Sequence, residues 1–202
     1  MQNKQKLILA SSSPRRLSLL QSISIVPDKI ISPNINEQKL LKEKPEQMAL
    51  RLAIAKANSA SLMIEEDAFI IAADTIVATK AKLFEKAESN EDAEKYLNFF
   101  SGRRIKVHSA VAVAKVKAGK IEKIASKLVT SDLKFKRISN EEMKQYLEIG
   151  EAVGKAGGFS IQGFGETLLQ WISGSYSGII GLPLAETSNL LKGLGYHGNI
   201  ES

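Results

Sequence analysis

The sequence of 202 residues contains no cysteine and only two histidines, His108 and His197. Without cysteine, the chain can form neither a disulfide framework nor a thiolate metal site. Two histidines also argue against a metal site built from several imidazoles. Any bound cation is therefore expected to be a hard one, such as Mg²⁺ or Mn²⁺, held by carboxylate and phosphate oxygens.

Long apolar runs are also absent from the sequence. No stretch has the length needed to span a bilayer, so we expect no membrane partner. The short apolar run at residues 7–9 leads directly into a turn with two arginines, which is unlike a secretory signal peptide. We therefore expect a cytoplasmic protein that forms one domain over residues 1–202.

The charge is positive but not concentrated in one region. The formal net charge is +6, which favours anionic partners, although a generally lysine-rich composition would explain it as well. The lysines are scattered, and no basic arm, zinc finger or stripe of basic and aromatic residues is present. We therefore expect no stable complex with nucleic acid.

Hydrophobic periodicity and turn residues predict an α/β chain in which strands alternate with helices. Two long strands should form a hairpin near Gly119. We predict a central mixed, twisted sheet flanked by helices. The predicted helices cover 45–63, 90–100, 139–147 and 182–194, and the predicted strands cover 7–9, 24–32, 68–77, 107–116 and 121–135.

Residues 7–20, LILASSSPRRLSLL, predict a strand, a polar turn and the start of a helix. Pro14 suits the first helical position, because its missing N–H would have no partner there. The turn would then offer serine hydroxyls, free N–H groups and two guanidinium groups, which together suit a polyphosphate. The alternative is an ordinary N-cap at Ser13 followed by solvated arginines.

Asp74 is the strongest single candidate for chemistry, because it interrupts the apolar run 68–77. A carboxylate buried there without a partner would be costly, and a cleft with a bound cation would relieve that cost. The alternative is a structural aspartate that caps a turn or pairs with one lysine. Thr75 adds a hydroxyl at the same place.

Other candidates are weaker when taken alone. Glu37, Lys56 and Lys86 would each be ordinary surface charges in most proteins. The glycine-rich segment 154–165 would let the backbone approach a ligand, and its Gln162 has the donor and acceptor needed to recognise a base edge. The alternative is a bend in a glycine-rich strand.

Five motifs in a fixed order then resemble one family. They are SSSPRR at 11–16, AADT at 72–75, SGR at 101–103, KAGGFSIQG at 155–163 and GSYSGIIGLPLAET at 174–187. Together they resemble the Maf family of nucleoside triphosphate pyrophosphatases, also called septum formation inhibitor proteins, over about residues 7–194. The resemblance implies a fold similar to that of inosine triphosphatase, with a cleft between two lobes, and a homodimer.

The resemblance also implies an activity and a set of site residues. The family cleaves a nucleoside triphosphate to the monophosphate and pyrophosphate with a divalent cation. Asp74 matches its proton acceptor and Lys86 a second catalytic residue, while Glu37 and Asp74 match its metal ligands. Arg15, Thr75 and Gln162 match the branch that prefers dTTP or UTP. The matching substrate-binding residues are Ser11, Ser13, Arg15, Arg16, Lys56, Thr75 and Gln162.

The chain departs from the family pattern at several positions. Ser18 replaces a glutamate, Asn36 an aspartate and Ile105 a histidine, while His108 stands where the family has threonine. Two carboxylates and an imidazole are thereby lost. A second hypothesis therefore stays open, in which the chain is a nucleotide-binding regulator of cell division with weak or no catalysis.

Overall fold

The computed structural model describes residues 5–80 and 82–198. It contains one seven-stranded mixed sheet with helices on both faces, which confirms the predicted fold class. The strands are β1 (Lys6–Ala10), β2 (Lys29–Ile31), β3 (Ala68–Ala78), β4 (Leu83–Phe84), β5 (Arg104–Lys117), β6 (Lys120–Phe135) and β7 (Leu169–Ser173). The helices are α1 (Pro14–Gln21), α2 (Pro45–Ser61), α3 (Asn90–Phe100), α4 (Asn140–Ile149), α5 (Tyr176–Ile180), α6 (Leu184–Gly193) and the 3₁₀ helix η1 (Gly163–Leu168).

The sheet has the strand order β2-β1-β3-β5-β6-β7, and β4 pairs with the end of β3. The first three strands of this order are parallel, and the remaining pairs are antiparallel. One face is covered by α2, whose alanines let the helix lie close to the sheet. The opposite face packs against α6 through a second buried cluster, and a third cluster joins α3 and α4 to the ends of β5 and β6.

The register of β3 creates an opening in the sheet. β1 ends at Ala10, which lies opposite Ala72, and the pairing of β3 with β4 begins at Val77. Within the described part of the chain, no strand pairs with residues 73–76 on this side. Asp74 and Thr75 therefore lie beyond the carboxyl end of β1, where ligands commonly bind in parallel sheets.

Most predicted elements are present with shifted ends. The helix over 90–100 and the hairpin near Gly119 are confirmed, and Ser139 and Glu142 form a capping box at the start of α4. The extended segment at 24–32 is wrong in length, because β2 contains only three residues. None of the helices in the described residues is long and apolar enough to cross a membrane.

Candidate active site

A cavity of about 740 Å³ lies at the opening beside β3. Its volume falls in the range of ordinary ligand pockets, about 300–1,000 Å³. All ten residues singled out from the sequence line this one cavity. They are Ser11, Ser13, Arg15, Arg16, Glu37, Lys56, Asp74, Thr75, Lys86 and Gln162.

The cavity has a charged part and an apolar part. The β1–α1 turn, α2 and the end of β3 supply most of the charged and hydroxyl groups. The apolar wall comes from β3, β4, the segment after Gly158, and α5. Its side chains are Val77, Phe84, Phe159, Ile161, Ile179 and Ile180. One elongated ligand with an anionic end and an apolar end would match both parts.

Two carboxylates share one lysine in the charged part. The Lys56 ammonium lies 2.6 Å from Asp74 Oδ1 and 2.8 Å from Glu37 Oε1. Asp74 is 8% exposed at its side chain, whereas Glu37 is 50% exposed. The sequence left open the alternative that Asp74 pairs with one lysine. The structure shows this pairing, and it also places Asp74 in the cavity. The ammonium holds both carboxylates in one small region.

The surrounding cations keep Glu37 ionised. Partial burial alone would raise its pKa, but the hydrogen bond from Lys56 and the positive charges of Lys56, Lys86 and Arg16 together lower it below its ordinary value. No group of three or more metal-ligating side chains exists in the described residues. Mg²⁺ commonly binds to one or two carboxylates plus substrate phosphates, so the pair Glu37 and Asp74 suits that ion when a triphosphate supplies the remaining oxygens.

The β1–α1 turn holds Arg16 in one position. Its Nε donates to the carbonyl of Gly181 at 2.9 Å, and Nη1 donates to Ser11 Oγ at 3.0 Å. Ser13 occupies the N-cap position, but its side chain makes no capping hydrogen bond, so the N-cap interpretation of this serine is only half right. The turn therefore leaves the Ser13 hydroxyl beside the start of α1 and fixes the neighbouring guanidinium.

Arg15 lines the cavity near α4 and the glycine-rich segment. Burial lowers its pKa, while the neighbouring Tyr146 acts in the opposite sense. Burial and the charge of Arg15 also lower the pKa of Lys155. An arginine stays charged despite such shifts, so two cations face this part of the cavity. Lys155 was not singled out from the sequence, although its motif was.

Lys86 is held by backbone pairing with the glycine-rich segment. It forms a bridge with Ala156, and the flanking hydrogen bonds run from Ala87 N to Lys155 O and from Gly157 N to Glu85 O. Gly158 has φ +65°, and a Cβ there would lie 2.8 Å from a backbone atom of α3. The glycines are thus needed for the close packing that places Lys86 at the cavity.

Thr75 and Asp74 point to opposite faces of the sheet, because successive residues of a strand alternate. Asp74 faces α2, whereas the Thr75 hydroxyl lies 3.5 Å from the carbonyl of Gly181 and 3.2 Å from Ser109 Oγ. A ligand that touches both must pass around the open edge of β3. Gln162 is exposed at the cavity rim, and its backbone N–H donates to Ser160 Oγ at 3.1 Å.

Ser18, Asn36 and Ile105, three of the positions that depart from the family pattern, do not line the cavity. Ser18 is exposed and donates to the carbonyl of Pro14, and Asn36 accepts from the backbone of Gln38 in a local turn. Ile105 is buried in the cluster beneath α3. The side chains now present at these positions therefore contribute nothing to the cavity lining.

Comparisons with known proteins identify the family of this chain. The profile of a family described as Maf-like protein matches residues 6–194. A nucleoside triphosphate pyrophosphatase of Rickettsia akari is 42% identical over 94% of each chain, and one of Rickettsia felis is 42% identical over 96% of this chain and 97% of its own. A solved nucleoside-triphosphatase / dITP/XTP pyrophosphatase from Mycobacterium abscessus is 16% identical, with a TM-score of 0.43 over 94% of each chain. The family profile and the two Rickettsia relatives, which match nearly the whole length, identify this chain as a member of the Maf-like protein family.

Proposed function

We propose that the protein is a nucleoside triphosphate pyrophosphatase, which converts its substrate to the monophosphate and pyrophosphate. The observation that carries the proposal is the cavity itself. It joins a buried carboxylate held by Lys56 to a serine- and arginine-rich helix start and an apolar wall. The curated relatives that match over nearly the full length carry the same activity in their names.

The triphosphate would bind in the charged part of the cavity. Arg15 and Arg16 offer guanidinium groups, and Ser11 and Ser13 offer hydroxyls, around the first turn of α1. Lys86 adds a cation from the opposite wall. In phosphoryl chemistry such fixed charges stabilise the transition state, which supplies most of the catalysis. The anchoring of Arg16 to Gly181 and Ser11 keeps its charge in place before the substrate arrives.

Asp74 would act as the general base. Its second oxygen is free of the Lys56 contact, which is made by Oδ1, and can accept a proton from water. The Lys56 ammonium would hold the carboxylate in its orientation. When Asp74 takes a proton from the water, the resulting hydroxide attacks the α-phosphorus of the triphosphate. Pyrophosphate is the leaving group, and the nucleoside monophosphate remains.

Glu37 and Asp74 are the residues that would hold a divalent cation, Mg²⁺ or Mn²⁺. When bound, such an ion neutralises phosphate charge and polarises phosphate oxygens. Glu37 suits this task because its lowered pKa keeps it ionised, and its 50% exposed side chain can reach toward the phosphates.

A pyrimidine triphosphate such as dTTP or UTP is the proposed preferred substrate. The apolar wall would receive the base, and Thr75 and Gln162 are hydrogen-bonding groups next to that wall. Arg15, Thr75 and Gln162 also match the residues of the family branch with this preference. Modified nucleotides with the same base edge would be accepted as well.

The second candidate is a nucleotide-binding regulator of cell division without catalysis. It drew its support from Ser18, Asn36 and Ile105, and all three lie outside the cavity. The side chains proposed for catalysis are all retained. The retained side chains therefore favour the enzyme over the regulator.

Phosphate release from a panel of triphosphates, measured with and without added inorganic pyrophosphatase, tests the proposal. We expect a signal with dTTP and UTP that needs both the added pyrophosphatase and a divalent cation, and that is lost in EDTA. Phosphate release without the coupling enzyme would contradict pyrophosphate as the product. Binding of nucleotide without any release would favour the regulator.

The proposal includes a cytoplasmic homodimer. The edge strand β7 offers an exposed surface for self-association, because Trp171 and Ile172 are each 38% exposed. Light scattering of the purified chain, with a Trp171→Lys variant as comparison, would detect the dimer. A monomeric wild-type protein would remove this part of the proposal.

A further inference from the structure

The loop that carries Glu37 has little regular structure of its own. Residues 32–44, which we call the Glu37 loop, connect β2 to α2 without forming a helix or a strand. Leu40 and Leu41 are 55% and 92% exposed, so the burial of these side chains does not hold the loop in place. Polar contacts are then needed to fix the part of the loop that follows Glu37.

Arg51 of α2 ties the middle of this loop to its end. Its Nε and Nη2 donate to the two carboxylate oxygens of Glu43 at 2.6 and 2.9 Å, and Nη2 also donates to the carbonyl of Gln38 at 3.0 Å. Glu43 Oε2 accepts in addition from the backbone N–H of Leu40 at 3.0 Å. The Glu43 side chain is only 7% exposed, and a two-pronged contact between guanidinium and carboxylate fixes the geometry of both groups. We call these contacts the Arg51 clamp.

The Arg51 clamp acts on the backbone next to Glu37. Gln38, whose carbonyl it holds, directly follows Glu37 in the chain. Lys56 contacts the Glu37 carboxylate through Oε1 at 2.8 Å, which leaves the other oxygen for a cation, but this lysine is shared with Asp74. Arg51 does not line the cavity and acts on it only through the loop. A loop that is already ordered loses less freedom when a ligand binds, so the clamp should strengthen binding at Glu37.

We propose that Arg51 is a positioning residue for the divalent cation, because its clamp fixes the loop that presents Glu37 to the cavity. This inference rests on the proposed function, in which Glu37 and Asp74 hold the cation. Arg51 touches neither the cation nor the nucleotide. Without the clamp, the Glu37 loop must be ordered each time a cation binds. Cation binding is then weakened, whereas the contacts between the protein and the phosphates stay as they are.

Calorimetry with the α,β-methylene analogue of UTP tests the inference without catalysis. The Kd of the analogue is measured with Mn²⁺ and in EDTA, and the ratio of the two values gives the contribution of the cation to binding. The variants are Arg51→Met, Glu37→Gln and the double variant. Lys136→Met is the matched control, because it breaks an ion pair with Glu142 that has the same 2.6 Å length, a similarly exposed cation and no part in the cavity lining.

We expect Mn²⁺ to strengthen binding by the same factor in the wild type and in Lys136→Met. In Arg51→Met this factor should fall by about 10- to 100-fold, the usual effect of a group that orients a metal ligand, while the Kd in EDTA stays the same. Since Arg51 acts through Glu37, the double variant should lose no more than Glu37→Gln alone. Arg51→Lys keeps the charge but lacks the planar fork, so it should show a smaller loss of the same kind, and it replaces Arg51→Met if that variant does not fold.

Turnover gives a second readout that a purely structural ion pair would not move. Arg51→Met should need a higher Mg²⁺ concentration for its half-maximal rate and should regain the wild-type kcat at saturating Mg²⁺. A lower kcat with an unchanged Mg²⁺ requirement would contradict the positioning role.

Several results would overturn the inference. One is an equal rise of both Kd values in Arg51→Met, because the ratio is then unchanged although Glu37→Gln lowers it. Additive losses in the double variant are another, because Arg51 would then not act through Glu37. If Mn²⁺ strengthens binding in none of the proteins, the cation site of the proposed function fails and this inference falls with it. If Mn²⁺ strengthens binding but no pyrophosphate is released, only the proposed catalysis fails, and the ratio of Kd values still decides the role of Arg51.

Discussion

Replacing Asp74 with asparagine separates the chemical role of this carboxylate from its structural role. The side chain keeps its shape and loses only its charge and its ability to take a proton. A general base typically contributes about 10²–10⁴-fold to the rate, so kcat should fall by at least that factor. This loss corresponds to about 3–5 kcal/mol in the activation free energy.

The stability of the same variant should change much less. Asp74 accepts a hydrogen bond from Lys56 at 2.6 Å, and asparagine can still accept one through its carbonyl oxygen. Lys56 also keeps Glu37 at 2.8 Å, so its charge is not left alone. We expect a loss of at most about 2 kcal/mol in the free energy of unfolding, or roughly 4–8 °C in Tm.

Lys56→Met is the counterpart, because it leaves both carboxylates without their shared cation and should cost about 3–5 kcal/mol in the free energy of unfolding.

Steady-state kinetics with UTP and thermal unfolding by circular dichroism measure the two effects. A near-parental rate in Asp74→Asn would remove this residue from the mechanism. A variant that no longer folds would refute the division of roles, because the ion pair with Lys56 would then be required for the structure itself.

Three further changes have expected outcomes. Arg16→Lys keeps the charge but cannot reproduce both anchoring hydrogen bonds, so kcat/KM should fall about 10- to 100-fold. An unchanged kcat/KM would show that the positive charge alone suffices. Burial lowers the pKa of His108 below its ordinary 6.5, so the unfolded chain binds the proton more tightly, and stability should decline as the pH falls below 6.5. Urea unfolding from pH 7.5 to 5 should show a flatter profile for His108→Thr than for the wild type or the surface variant His197→Gln, and parallel profiles would contradict this. Gly158→Ala should cost about 2–4 kcal/mol in the free energy of unfolding, because its Cβ would lie 2.8 Å from an α3 backbone atom. Gly154→Ala, whose Cβ would meet nothing within 4 Å, should cost only the strain of its positive φ. Equal losses in the two variants would refute the packing argument.

Local signals in the sequence predicted the elements that carry the site. Pro14 and the apolar run before it predicted β1 and α1. The interruption of an apolar run singled out Asp74, which lies within β3 rather than at a strand end. These signals work because a helix start and a buried strand depend on nearby residues. The grouping of Asp74 with Lys56 and Glu37 depends on the packing of α2 on the sheet, and only the resemblance to the family anticipated it.

Short elements and buried polar contacts were beyond prediction from the sequence. α5 has five residues and β7 five, so neither is long enough for a repeated hydrophobic pattern to stand out from the sequence. Ser109 looks like an ordinary strand residue, and its hydrogen bond to Thr75 is visible only once the register of β3 and β5 is known. The sequence likewise does not show that Ser18 is exposed on α1 and that Ile105 is buried beneath α3.

The products of UTP turnover test the central claim most directly. Phosphorus NMR of a reaction with Mg²⁺, run in parallel with the Asp74→Asn variant, distinguishes the possible bond cleavages. We predict UMP and pyrophosphate in equal amounts from the wild type and no detectable turnover from the variant in the same time. The appearance of UDP and inorganic phosphate, or equal turnover by both proteins, would contradict the proposed mechanism.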